Sequence, residues 1–479
     1  MNETVVVPKR WQNQDEALQF TLDHPAVMLN MDMGTGKTRV AIDAAFERDD
    51  VKRVLVVCPK SVVPVWRMNL LKFKDIHNWV CWDDTKGTVK NKTESLKRWF
   101  EDYVLKVTSI EGEPKQFVVI NYDVVWRFPM GEALRKIGFD LIILDESHRA
   151  KSAGSKVSKY LFLLGRNTKY KMCLSGTPMA NSPLDVYGQY RFLNPGIFGT
   201  RYDYFRDEYA ILGGPEHNFV IGYKNQKRLN AKFQSIAYTC KMSDIADRLK
   251  LPDKLPPSVI EVELPARDMK TIKSLHKEFI AECSTGNFVV LQNVLNLSLR
   301  EQQITSGFVM SQVSPGEPSE LSELNNEKQR VFMDYLEDTS PNESIVVFYV
   351  FRHDAQTLHE ACKKMGRTVY ELSGDVNELS AWQEDLCGGV LIVQIQSGAE
   401  GVDMTKANRG VYFSLPQSLA LYEQSMARLY RPGQVKDVQF SYILAQHTID
   451  EKIFKCLTHK KSLIEGIQDG LVDIDYLKK

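Results

Sequence analysis

The sequence predicts an α/β protein of two lobes, each a parallel sheet flanked by helices. Short apolar runs recur along the chain and each closes on a loop: 26–29, 54–59, 117–121, 141–144 and 172–178 in the first half, and 345–350, 368–372, 390–395, 410–413 and 438–444 in the second. Runs that are continuously apolar suit strands covered on both faces, as in a sheet with helices on either side. With 479 residues the chain exceeds what one core usually organises, so two domains are expected.

The first run feeds the stretch Met31 to Thr38, MDMGTGKT, and residues 39–48 continue with helical spacing. Gly34 and Gly36 let the backbone turn tightly, so that its N–H groups, Thr35 included, can face phosphate oxygens. Lys37 would reach the β- and γ-phosphates of a nucleotide, and the Thr38 hydroxyl would ligate Mg²⁺. The full pattern asks for glycine where this chain has Met31, so the GxGKT half carries the reading. Upstream, in WQNQDEALQF, Gln14 offers an amide donor and acceptor to an adenine edge.

The runs at 54–59 and 117–121 read as buried strands that open into loops at Lys60–Ser61 and at Asn121–Tyr122. The stretch from about 72 to 115 is polar and irregular and suggests no chemistry. FDLIILDESHR then places Asp145 and Glu146 at the carboxyl end of an apolar strand, where an unpaired carboxylate is costly. Asp145 would hold Mg²⁺ through its water shell, and Glu146 would orient and deprotonate the attacking water. MCLSGTP ends another strand with Ser175 and Thr177, hydroxyls able to bond those carboxylates and sense a γ-phosphate.

GTGKT at 34–38, VCPKSVVPVW at 57–66, DESH at 145–148 and LSGTPMANSPLDVYGQYRFLNP at 174–195 together resemble the Swi/Snf-like branch of helicase superfamily two, the ATP-driven DNA translocases. The resemblance spans nearly the whole chain. It implies two RecA-like lobes, residues 1–255 with a helical elaboration and 256–479 with a helical insertion at about 266–330 and a C-terminal brace at about 447–479. LREQQITSGF at 299–308 falls in the insertion.

In the second half QSGAEGVDMT resembles the family segment that couples nucleotide state to DNA contact, though Asp403 and Met404 stand where relatives often show Asn-Leu. On that resemblance His148, Ser175, Thr177, Gly401 and Asp403 are coupling residues. EQSMARLYRPGQ spaces Gln424, Arg428 and Arg431 along one face of an expected helix. The two arginines match the family's arginine fingers, which cross to the γ-phosphate, and Gln424 belongs with the nucleotide contacts. Lys60, Ser61, Asn121, Tyr122, Arg149 and Lys151 are the implied DNA contacts.

The expected activity is DNA-stimulated ATP hydrolysis coupled to movement along duplex DNA, with ATP and Mg²⁺. A fork-remodelling, branch-migrating or strand-separating helicase, on DNA or RNA, and an ATP-gated DNA clamp with little turnover are the alternatives. Lys+Arg and Asp+Glu both number 61, so a nucleic-acid site must be a local basic surface. The eight cysteines show no CxxC pair, which argues against a zinc module and for reduced thiols. No apolar run reaches the length of a membrane span. The expectation is a monomer in a bacterial or phage-infected cytoplasm.

Overall fold

The computed structural model describes residues 8–75, 78–84, 87–107, 114–179, 182–213, 219–284, 291–311, 320–398 and 402–459. They form two compact units, Met1–Leu249 and Lys250–Lys479.

Unit one holds strands β1 (Ala26–Met31), β2 (Arg53–Cys58), β3 (Trp79–Asp83), β4 (Lys115–Asn121), β5 (Leu141–Asp145), β6 (Tyr170–Ser175), β7 (Ala210–Gly213), β8 (Phe219–Tyr223) and β9 (Ala237–Cys240). Seven of them pair in parallel in the order β3-β4-β2-β5-β6-β1-β9, while β7 and β8 form a separate antiparallel hairpin. Unit two holds β10 (Ser258–Val262), β11 (Phe308–Ser311), β12 (Glu320–Glu323), β13 (Ile345–Tyr349), β14 (Val369–Leu372), β15 (Val390–Gln394), β16 (Arg409–Tyr412) and β17 (Gln439–Ala445). Its parallel sheet runs β10-β17-β16-β13-β15-β14, and β11 with β12 make a second hairpin.

The apolar strands are covered on both faces because each supplies two cores at once. Leu55, Val57, Val118, Ile120, Ile142 and Leu144 pack in one cluster, and Val54, Val56, Phe117, Val119, Leu141 and Ile143 in another. The two-residue side-chain period of a strand produces this division. Val346, Phe348, Leu391 and Val393 likewise separate from Ile345, Val347, Val390 and Ile392 in unit two.

The structure departs from expectation in three stretches. The stretch read as irregular contains β3 and the helix Val89–Val107. The elaboration that follows Tyr187 is helical in part, but it also contains the β7–β8 hairpin and β9, which completes the main sheet. The insertion, expected to be helical at about 266–330, holds the helices Ala266–Ser284 and Leu291–Thr305 and then the β11–β12 hairpin.

A buried polar spine docks the insertion in unit two. Glu301 Oε1 accepts the Ile449 N–H at 2.8 Å, Gln302 Nε2 donates to the Leu415 carbonyl at 2.9 Å, and Thr305 Oγ1 donates to Asp450 Oδ1 at 3.1 Å. Lys328 Nζ neutralises Asp450 at 2.6 Å, so the buried carboxylate is paired as burial demands. Of the expected brace, the helix Ile449–Thr458 is thus tied to the insertion, and residues 460–479 lie outside the described residues.

Candidate active site

Register brings the expected residues of unit one to one edge of the sheet. Asn30 of β1 stands opposite Ser175 of β6, Asp145 of β5 opposite Leu174, and Cys58 of β2 opposite Asn121 of β4. The loops after these strands share the carboxyl edge, where open α/β sheets place their ligands.

At that edge the glycine-rich turn leads into the helix Lys37–Glu47, whose N-cap Gly36 takes a left-handed φ of +94°. A Cβ at Gly36 would fall 2.1 Å from Gln14 Nε2, so glycine is required both by the turn and by the glutamine against it. Gln14 is buried, and its Oε1 accepts the Trp11 N–H at 3.1 Å. Thr35 Oγ1 donates to the Asp32 carbonyl at 2.7 Å, and Lys37 Nζ donates to the Met31 carbonyl at 2.7 Å and to that of Asp32 at 3.2 Å. Thr38 follows in the first helical turn, half-buried. A helix N-terminus with a lysine and a hydroxyl fits a nucleotide's phosphates.

Asp145 is buried and each of its oxygens has a donor. Trp66 Nε1 reaches Oδ2 at 2.8 Å, the Glu146 N–H reaches Oδ1 at 3.0 Å, and the Tyr122 hydroxyl donates to the Asp145 carbonyl at 2.9 Å. Burial, and after it the charge of Glu146, raises the Asp145 carboxyl to about 6, against the opposing pull of the Trp66 bond and of Lys37. A carboxylate made costly by burial beside a second carboxylate suits a cation, and the oxygens of Thr38 and Asp145 are donors of the kind Mg²⁺ takes. Glu146 adopts a left-handed φ of 51°, rare for a non-glycine residue, and its Oε2 lies 3.4 Å from His148 Nδ1.

Beyond the carboxylates, His148 Nδ1 lies 3.5 Å from Ser175 Oγ, and Ser175 Oγ accepts the Thr177 N–H at 3.1 Å. Gln189, on the helix Val186–Leu193, joins the two turns. It accepts from Ser147 Oγ at 2.7 Å and donates to the Pro178 carbonyl at 2.7 Å. Gly188 is in close contact here, since a Cβ would meet the Ala150 carbonyl at 2.3 Å.

The expected DNA contacts divide. Lys60, Ser61 and Arg149 are exposed at this edge, and Lys151 pairs with Asp185 at 3.0 Å. Asn121 and Tyr122 depart from the expectation, because both are buried. Asn121 bonds Asp84 and caps its own turn through the Asp123 N–H, and Tyr122 supports Asp145, so neither side chain is at the surface. Sequence reasoning passed over the turn that follows. There Phe128 is 81% exposed, and Arg127 and Lys156 sit 5.6 and 5.3 Å from the Trp126 ring.

In unit two Gln424 and Arg428 are buried on the helix Leu419–Leu429. That helix ends before Arg431, so the expected single face is not formed. Tyr430 leaves helical geometry, and Pro432 with Gly433, at φ +105°, turns the chain. Arg431 Nη1 donates to the Val402 carbonyl at 3.1 Å, while its buried Nε has no partner among the described residues. Asp403 Oδ1 accepts from the Thr405 N–H at 2.9 Å and from its hydroxyl at 2.7 Å, and Gly401 lies outside the described residues. Gln434, quoted in the motif without a role, ties the two segments through the Ala407 carbonyl at 2.9 Å and that of Leu429 at 3.2 Å.

Among the described residues there is no cluster of metal-ligating side chains of the His/Cys/Asp/Glu kind, and no helix is long and apolar enough to cross a membrane. Among the described residues no disulfide is formed.

Residues 327–433 match the helicase conserved C-terminal domain. The chain is 22% identical to the DNA repair protein rhp54 of Schizosaccharomyces pombe over 93% of its length, and 24% identical to the uncharacterized ATP-dependent helicase YqhH of Bacillus subtilis over 92%. It spans 56% of the yeast protein and 76% of the bacterial one. A solved Sulfolobus solfataricus SWI2/SNF2 ATPase core in complex with dsDNA is 20% identical, with a TM-score of 0.43 over 100% of this chain and 98% of that one. With residues 9–307 matching the SNF2-related domain, the chain belongs to the SNF2-related family of helicase superfamily two.

Proposed function

We propose that the protein is an ATPase switched on by nucleic acid, and that it uses hydrolysis to move along duplex DNA. The observation that carries this reading is the shared edge of unit one, where the phosphate loop follows β1, the Asp145–Glu146 pair and the exposed Arg149 follow β5, and the exposed Lys60 and Ser61 follow β2.

Lys37 and the N–H groups around Gly36 bind the phosphates, and Gln14 reads the adenine. Thr38 and Asp145 would hold Mg²⁺, which would supply charge neutralisation at the transferred phosphoryl group. Glu146 orients the attacking water and takes its proton. Arg428 and Arg431 of unit two serve as the arginine fingers of the reaction, so that turnover depends on a geometry that DNA can favour. An arginine added in this way is worth about 10³ to 10⁵ in rate in other phosphoryl-transfer enzymes. His148, Ser175, Thr177, Gly401 and Asp403 carry the coupling between nucleotide and DNA. The DNA surface consists of Lys60, Ser61 and Arg149 with Arg127 and Lys156, and it addresses phosphates without regard to sequence. DNA is favoured over RNA as the substrate by a relative named as a DNA repair protein.

The test is steady-state ATP hydrolysis alone and with duplex, single-stranded and forked DNA and RNA. Duplex should stimulate most, less so as salt rises, and Lys37→Ala should abolish the activity. Glu146→Gln should bind ATP and DNA without turnover. Preference for forks would reassign the protein to remodelling, preference for RNA would overturn the substrate, and ATP binding without turnover on any nucleic acid would make it a clamp.

A further inference from the structure

From the hydrogen bonds around Asp145 we infer that Trp66 and Tyr122 are positioning residues, which transmit the state of two neighbouring loops to the carboxylate that holds the metal. The inference rests on the reading of the chain as a nucleic-acid-dependent ATPase.

The two aromatics come from different loops of the same edge. Trp66 lies in the helix Val63–Phe73, directly after the turn Lys60–Val62 that exposes Lys60 and Ser61. Tyr122 is the first residue after β4, and the chain beyond it leads to Trp126, Arg127 and Phe128. In the sheet β2 lies between β5 and β4, so both loops are near the end of β5, where Asp145 stands. Trp66 is 0% exposed and Tyr122 5%, and their polar atoms converge on one residue, the indole on Oδ2 at 2.8 Å and the phenol on the main-chain carbonyl at 2.9 Å. Packing alone does not need either donor, because phenylalanine would fill much of the same volume. The buried carboxylate needs the indole donor, and the buried main-chain carbonyl needs the phenol.

The consequence for chemistry lies in the next residue. Glu146 is held at φ 51°, and a non-glycine residue stays in that conformation only where its surroundings fix it. The bonds to the side chain and carbonyl of Asp145 fix the start of that turn, so a shift of either loop reorients Glu146 together with the metal ligand. The far end of the Trp66 helix is pinned, since Lys74 Nζ pairs with the buried Asp43 of the phosphate-loop helix at 2.8 Å. Displacement at Lys60–Ser61 is therefore expressed at Trp66 and not spread along the helix.

Trp66→Phe and Tyr122→Phe in the full chain keep an aromatic ring and delete one donor each. Partners that orient metal ligands are typically worth about 10- to 100-fold in metal affinity or activity. We expect each variant to lower the ratio of duplex-stimulated to unstimulated turnover roughly tenfold, within that range, and to raise the Mg²⁺ concentration at half-maximal rate. Duplex affinity, measured by fluorescence anisotropy, should be unchanged. In the non-hydrolysing Glu146→Gln background, the gain in ATP affinity on adding Mg²⁺ should shrink with either substitution, which reads metal placement without turnover. If both variants keep the stimulation ratio and the Mg²⁺ dependence within twofold, the inference is overturned while the functional reading stands. A wild type that no nucleic acid stimulates overturns both.

Discussion

Asp43→Asn removes the charge on which three cations converge. Asp43 is 0% exposed, accepts from Arg39 Nε at 2.6 Å and Arg10 Nη1 at 3.2 Å, and forms an ion pair with Lys74 Nζ at 2.8 Å. Arg39 and Lys74 are themselves largely covered, and the Arg39 guanidinium lies 4.3 Å from the Phe73 ring. An asparagine would leave those cations in a poorly solvated site without their counter-charge. Breaking a buried ion pair on one side costs about 3–5 kcal/mol. For a unit of this size each kcal/mol moves the midpoint about 2–4 °C, so unit one should unfold roughly 6–20 °C lower. Acid should reveal the same group. Burial pushes the Asp43 carboxyl up, but the hydrogen bonds from Lys74 and Arg39 outweigh it and hold it below the usual carboxylate value. The folded value is then the lower one, so this stabilisation is complete above the unfolded value, near 3.9, and is lost as pH falls through the folded one. Thermal unfolding of wild type and Asp43→Asn at neutral pH, repeated at acid pH, checks both parts. The gap between the two should narrow as the pH falls. A loss under about 1 kcal/mol at neutral pH, set against the burial cost just cited, would refute the reasoning.

Gly36→Ala should cost about 1–2 kcal/mol for the left-handed backbone and should weaken ATP binding. Because its Cβ would strike the Gln14 side chain, the double variant with Gln14→Ala should lose less than the sum of the singles in calorimetric titration. Gln189→Leu strands the Ser147 hydroxyl and the Pro178 carbonyl, both buried partners, so urea denaturation should show a loss of about 2–4 kcal/mol. Stimulation by duplex should fall as well, and unchanged stimulation would separate this bridge from coupling. Gln434→Ala should free the turn that carries Arg431, lowering kcat while the ATP dissociation constant stays within twofold of wild type.

Contiguous chemistry was legible in the sequence. The glycine-rich loop, DESH and the second-half motifs each fall in one short window with a strand before it, and the apolar runs marked the central strands to within a residue or two. Polar elements were not legible. The strand β3 sits at the sheet edge with only two of its five residues buried, and its short WVCW run lies inside a polar stretch, while β12 is exposed throughout and leaves no apolar run. Bridges between distant residues were equally hidden. Trp66 meets Asp145 across 79 positions and Ser147 meets Gln189 across 42, and a single sequence does not announce such pairs. Asn121 and Tyr122 were read as surface residues from their loop position, but a polar residue just past a buried strand can as readily turn inward to satisfy its neighbours.

The order of strands in the second sheet governs how this chain emerges from a ribosome. β9 joins β1 in the first sheet, so once residue 240 is free of the exit tunnel every strand of that sheet has its neighbour. β10, synthesised soon after, pairs only with β17, Ser258 standing opposite Ser441. At about 5–20 residues per second, it waits roughly 10–40 s with its pairing edge open. Nascent chains stalled before residue 439 should therefore hold a finished first unit and an unpaired β10, the form on which a chaperone would act.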